Sequence, residues 1–227
     1  MMAKKIFIDI CKKRKISALI TEPLKKGSLS GCVFVIAHGS SNDMHHNLIR
    51  GVSDIYSANG GKTIRFNFLF REENIISRTI RMDNSLSYLK AYEYAGKNLV
   101  SENDLVFACG KSLGSKVGAE LISSGRICPD GFISFGYPLH SKNYFDRLKF
   151  RPLESLNVPS MFFTGEHDPL CKIDFFTQGL NRLKINSRLH IIKKADHGLG
   201  IDEKYSESIF EEIFQSTSDW INASRSC

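Results

Sequence analysis

Asp104-Leu105-Val106-Phe107-Ala108-Cys109 runs straight into Gly110-Lys111-Ser112-Leu113-Gly114, and Ser115 and Gly118 prolong the run of small residues. The first part is an apolar stretch of strand length. The second is G-x-S-x-G, and beyond it a helix can begin. A strand, a tight turn and a helix form the setting in which this motif lifts a serine hydroxyl onto an exposed, strained corner. Glycine stands on either side because side chains there would strike neighbouring backbone. The plainer readings are a glycine-rich turn with an ordinary serine, or an anion cradle. A phosphate loop is not the expectation, since G-x-x-x-x-G-K-[ST] is not matched.

Other strand-like runs flank this one. Cys32–Ala37, Lys62–Phe68, Gly131–Phe135, Ser160–Thr164 and Leu189–Ile192 alternate with helical patterns. Such alternation predicts an α/β fold whose sheet is largely parallel, twisted and covered by helices on both faces. Met44, Leu48, Val52 and Ile55 form one helical stripe, stopped by Asn59-Gly60. Tyr88, Ala91, Tyr92 and Ala95 form a second, with Asp83 or Asn84 as the expected N-cap. Phe176, Leu180 and Leu183 mark a third, and Tyr205, Ile209, Ile213, Trp220 and Ile221 a fourth. Near the start, Ile6, Ile8 and Ile10 alternate with Phe7 and Asp9, and Ile16 to Thr21 repeats the pattern. Two antiparallel strands joined by Cys11–Lys15 would explain both. With no internal repeat and no long linker, residues 1–227 read as a single domain.

The chain has 227 residues and a formal net charge of +7, with 42% hydrophobic and 24% charged residues, which excludes disordered and low-complexity classes. The charge is concentrated. Lys4, Lys5, Lys12, Lys13, Arg14, Lys15, Lys25 and Lys26 face only Asp9 and Glu22, so the other 201 residues carry a single net charge. Lysines at a sheet edge discourage edge-to-edge pairing, and Lys12–Lys15 reads as a solvated turn. No recognition motif or interleaved aromatics accompany the basic end, so nucleic acid is not an expected partner. The longest apolar run, Cys32 to Ala37, is far too short for a membrane span. Ile6–Ile10 lacks the length and cleavage site of a signal peptide. The six scattered cysteines show neither C-x-x-C pairs nor metal-ligand spacing, and they read as reduced thiols. A cytoplasmic location is the expectation, with no metal and no cofactor called for.

A serine nucleophile needs a base and an orienting acid, and on this kind of sheet they follow in the order Ser, Asp or Glu, His. The strand Ser160–Thr164 leads into Gly165-Glu166-His167-Asp168-Pro169, and Leu189–Ile192 leads to Ala195-Asp196-His197-Gly198. Asp168 and His197 therefore stand beyond the ends of two successive strands, in the required order after Ser112. Asp196 adjoins His197 in sequence and is poorly placed to orient it; Glu166 is a fallback acid, and His167 reads as rim. His140, His45 and His46 have no later acid in the expected order. For an oxyanion hole, the candidate donors are the backbone N–H groups of Leu113 and of Ser40, the latter after Ala37-His38-Gly39.

These residues carry a resemblance. The chain resembles α/β-hydrolase-like proteins of the testis-expressed 30 and NSL-complex-subunit type, relatives of dienelactone hydrolases, from about residue 31 onward. The likeness rests on Ala37-His38-Gly39 with Met44 and His46, on Arg65-Phe66-Asn67-Phe68, and on the Ser112 motif. It also rests on Gly136-Tyr137-Pro138-Leu139-His140, on Gly165 with Asp168-Pro169, and on Ala195-Asp196-His197. It implies an α/β-hydrolase fold with Ser112, Asp168 and His197 as a triad. The family tends to place Pro-Tyr after Phe68, where this chain has Leu69-Phe70, and the charged stretch Arg71–Met82 that follows is distinctive and expected to border the site.

Two functions follow from different premises. One is a serine hydrolase acting on a small ester, thioester or amide. The other is a catalytically silent interaction module on the same scaffold, which the loss of a triad residue would favour; none is lost. The segment Tyr137–Pro159, about 23 residues, is too short for a separate cap domain. Tyr144, Phe145, Leu148 and Phe150 would line a small lid or pack on the core. Lys111, Arg78 and Arg81 would favour an anionic substrate if they border the site; solvated surface charge is the plainer reading. The oligomeric state is open, a monomer included.

Overall fold

In a computed structural model of the chain, residues 3–73, 81–145, 147–202 and 204–225 are described. Eight strands form one sheet: β1 Lys4–Cys11, β2 Arg14–Thr21, β3 Cys32–Ala37, β4 Lys62–Phe66, β5 Leu105–Lys111, β6 Gly131–Phe135, β7 Ser160–Gly165 and β8 Ser187–Ile192. Their order across the sheet is β1-β2-β4-β3-β5-β6-β7-β8. From β4 to β8 every neighbouring pair is parallel, whereas β1 and β2 form an antiparallel ribbon that joins β4 antiparallel. The expected α/β-hydrolase architecture, with antiparallel N-terminal strands, is the one observed.

The apolar alternation of β3 explains why both faces are dry. Val33, Val35 and Ala37 join the core beneath one helical layer, and Cys32, Phe34 and Ile36 join the core on the other face. All six are buried. Strands read as continuous apolar runs because each face has helices to bury against. The helices are α1 Asn47–Ala58, α2 Leu69–Glu72, α3 Arg81–Asn98, α4 Leu113–Ser123, α5 Ile173–Leu183 and α6 Glu207–Arg225. Among the described residues, none of them is long and apolar enough to cross a membrane.

Three expectations need correction. Asp83 and Asn84 do not cap the second long helix, because α3 already begins at Arg81 and both lie inside it. Asp83 instead meets Arg14 at 2.8 Å, while Glu73 meets the same guanidinium at 2.7 Å. Arg14 is therefore not simply part of a solvated turn; it ties the N-terminal ribbon to the start of α3. Met44 is buried, but it lies ahead of α1, whose N-cap is His46.

Phe34 sits at the centre of the α1 and α6 side, fully buried, stacked on Phe107 at 5.2 Å and tilted against Tyr56 at 4.5 Å. Truncation to Ala would leave a cavity that rigid strands cannot collapse into. We expect Phe34→Ala to lower unfolding free energy by about 3–5 kcal/mol in urea titrations; a loss under ~1 kcal/mol would contradict this packing.

Candidate active site

The corner after β5 is built from close approaches. Ser112 has φ +51° and ψ −107°, a left-handed conformation rare for a residue with a side chain. Its N–H donates to the Phe135 carbonyl of the neighbouring strand at 3.1 Å, which anchors the strained residue. A Cβ on Gly110 would lie 2.3 Å from the Gly114 carbonyl carbon, and one on Gly114 would lie 2.6 Å from the Ala37 oxygen. The two glycines let α4 fold back over its own strand and lie against β3. Ser115 donates to the Gly110 carbonyl at 2.5 Å, and Ser134 donates to Ser115 at 3.0 Å, which closes the corner underneath.

Ser112, His197 and Asp168 come together above the sheet. His197 Nδ1 lies 2.8 Å from Asp168 Oδ2, and His197 Nε2 lies 2.9 Å from Ser112 Oγ. Nδ1–H donates to the carboxylate, so Nε2 is left to accept from the serine hydroxyl. Asp168's carboxylate is fully buried, and its Oδ1 accepts the Leu170 N–H at 2.7 Å. Asp196 serves the backbone instead. Its Oδ1 accepts from the amides of Gly198 at 2.6 Å and Gly200 at 3.2 Å, shaping the loop that carries His197. Glu166 is likewise taken, by the Lys194 N–H at 2.8 Å, and His167 is exposed.

The Gly136-Tyr137-Pro138-Leu139-His140 segment has a structural reason. Gly136 has φ +66°, and a Cβ on it would strike the His197 carbonyl at 2.5 Å. His140 is buried and has no place in the proton path. Its Nε2 accepts the Lys172 N–H at 3.0 Å, its ring Nδ1 bonds the Ser141 carbonyl at 3.1 Å, and its own N–H donates to Leu170 O at 3.0 Å. It thereby ties the loop after β6 to the loop carrying Asp168. Tyr137 stacks on Phe176 and donates to the Lys149 carbonyl. Of the residues expected to line a lid, Phe150 is buried in the core, whereas Tyr144, Phe145 and Leu148 are exposed.

On the opposite side of Ser112, the end of β4 clamps the loop after β3. Asn67 Oδ1 accepts the Met44 N–H at 2.9 Å, and Arg65 donates to the Met44 carbonyl. His38 donates from Nδ1 to Gly39 O at 2.7 Å and accepts the Phe68 N–H at Nε2, 3.1 Å. The Arg65-Phe66-Asn67-Phe68 motif is thus a frame for residues 38–44. Gly39 lies against the nucleophile, for a Cβ built there would sit 3.5 Å from Ser112 Cβ. The amides of Ser40 and Leu113 donate to no acceptor among the described residues. His45 is exposed, while His46 caps α1 by accepting the Leu48 N–H at 3.3 Å. Of the charged stretch expected to border the site, residues 74–80, Arg78 among them, lie outside the described residues, and Arg81 pairs with Glu120 at 3.2 Å.

Residues 30–224 match a family described as alpha/beta hydrolase domain. The chain belongs to that family. The hydrolase domain is similar in structure to a dienelactone hydrolase from Anabaena variabilis, with TM-score 0.75 and 17% identity over 98% of this chain and 97% of that one. A serine hydrolase homologue from Coxiella burnetii gives TM-score 0.73 at 14% identity, covering 96% and 97%. An esterase from Pyrococcus furiosus gives 0.72 at 16% identity, covering 98% and 91%. At such identities the likeness concerns the fold.

Burial pushes His38 down from 6.5 to about 4, so the folded domain holds this ring neutral. The unfolded chain takes up the proton first as pH falls, so stability is lost between pH 6.5 and about 4 and is fully present above. A shift of that size corresponds to about 3 kcal/mol. Urea midpoints taken from pH 7.5 to 4 should fall less steeply in His38→Gln than in wild type; parallel profiles would contradict a neutral, buried His38.

Proposed function

We propose that this hydrolase domain cleaves small carboxylic esters, thioesters or amides through an acyl-enzyme on Ser112. The observation that carries the reading is the unbroken chain of two hydrogen bonds, 2.9 Å and 2.8 Å, from the strained Ser112 through His197 to the buried Asp168. Membership of the alpha/beta hydrolase domain family supports it at the level of hydrolysis, and the esterase, serine hydrolase homologue and dienelactone hydrolase among its structural neighbours share its fold. The likeness to the testis-expressed 30 type adds the same triad positions.

In this reading Ser112 Oγ attacks the carbonyl carbon while His197 Nε2 takes its proton. Asp168 keeps the imidazole in the Nδ1–H tautomer and offsets the charge of the imidazolium. The amides of Leu113 and Ser40 donate to the oxyanion, each worth about 3 kcal/mol in the transition state. Collapse expels the alcohol, thiol or amine, which leaves with the proton from His197. Water then attacks the acyl carbon, losing its proton to the same Nε2, and Ser112 leaves as the hydroxyl. The packing around Gly110 and Gly114 and the bond to Phe135 O hold Ser112 against a strain of order 1–3 kcal/mol and so keep Oγ on the corner.

A fluorophosphonate probe should label the wild type and fail to label Ser112→Ala. A folded wild type that stays unlabelled would overturn the proposal and leave the silent interaction module as the reading. Once an ester is found that turns over, Asp168→Asn should reduce kcat by roughly 10⁴-fold, because the imidazole loses its tautomer while the geometry survives. A loss under tenfold would assign Asp168 a merely structural role.

A further inference from the structure

Lys111 occupies the x position before the nucleophile, and it is not the solvated surface charge that its residue type suggests. Only 7% of it is exposed. Among the described residues its ammonium makes no hydrogen bond and no ion pair. The two carboxylates whose charge reaches it, Asp196 and Asp168, are both committed elsewhere, to the Gly198 and Gly200 amides and to His197 with the Leu170 amide. The stem is enclosed while Nζ keeps some contact with solvent, so the ammonium is open to a ligand at the site and is not tied to a partner among the described residues.

Its position says what that ligand is. A Cβ on Gly39 would lie 3.5 Å from Lys111 Nζ and 3.5 Å from Ser112 Cβ, so the ammonium and the nucleophile's side chain are within 7 Å of each other across one glycine. The missing side chain of Gly39 leaves the space between them open. Asn42 Oδ1 borders the same spot at 3.1 Å. His46, which burial together with Lys111's charge holds neutral at about 4, adds no competing charge.

Resting on the serine-hydrolase reading above, we propose that Lys111 forms an anion subsite for the acyl group. It pairs with a carboxylate that the substrate carries a few carbons from the scissile carbonyl. With Ser112 bonded to the acyl carbon, a carboxylate in contact with Nζ is two to four bonds along the chain, which is the reach of a succinyl or glutaryl half-ester. Lysine binds such a group as a point charge on a flexible stem, so the subsite sorts by charge and tolerates some variation in spacer.

Glutaramate and valeramide are matched in carbon count and in their amide end and differ in one carboxylate, so they separate charge from size. Each is used to protect Ser112 against fluorophosphonate labelling, in wild type and in Lys111→Met. Glutaramate should slow wild-type labelling at concentrations at least tenfold below those of valeramide, and Lys111→Met should remove most of that difference. Equal protection by the two amides in wild type would overturn the subsite, and that comparison needs no variant to fold. A glutaramate preference that persists in Lys111→Met would overturn the assignment to this residue. Loss of labelling in Lys111→Met equally with and without glutaramate, in a protein that remains folded, would make Lys111 part of the oxyanion machinery instead and overturn the subsite. Failure of the serine-hydrolase reading shows separately, as a wild type that is never labelled.

Discussion

One backbone angle organises this molecule. Ser112 is held at positive φ, a conformation that costs energy, and the surroundings over-determine it. The flanking glycines are there for contact rather than flexibility, since neither Gly110 nor Gly114 could carry a side chain without striking α4 or β3. The same close packing brings the start of α4 to the corner, where the Leu113 amide donates to no acceptor among the described residues. A parallel sheet with β5 in its middle supplies the rigid floor.

Two frames then hold the remaining groups, and each is made from a segment with no chemistry of its own. The strand-end residues Arg65 and Asn67 grip Met44 from both sides, and Phe68 binds His38. That fixes the loop containing Ser40. On the other flank, Gly136 gives the His197 loop room, and His140 staples the Asp168 loop in place. Each frame turns a loop into a placed element, and placement to within a fraction of an ångström is what a proton-transfer chain requires.

Much of this is legible in the residues. The order Ser112, Asp168, His197 can be read because each follows an apolar run of strand length, and ends of parallel strands meet on one side of a sheet. Choosing Asp168 over Asp196 from sequence rests on adjacency alone; the structure supplies the reason, two backbone amides that occupy Asp196. The starts of α1 and α3 are not legible at Met44 and Asp83, where a buried turn and charge pairing with Arg14 compete with periodicity and capping. The +7 balance points to a plain sheet edge, yet Arg14 within it is a tie between elements. Lys111 is the least legible, because a lysine is usually solvated and only the three-dimensional enclosure by Gly39 and the neighbouring loops shows that this one is not.

Whether the corner makes Ser112 a nucleophile is measured most directly by trapping the acyl-enzyme. Turnover of an activated ester by the full chain is quenched in acid, and the digested peptides are weighed by mass spectrometry. We expect the mass of one acyl group on the peptide containing Ser112, localised to that residue and absent when His197 is replaced by Gln. An acyl group found on a different residue, or none on a folded protein that is hydrolysing the ester, would contradict it.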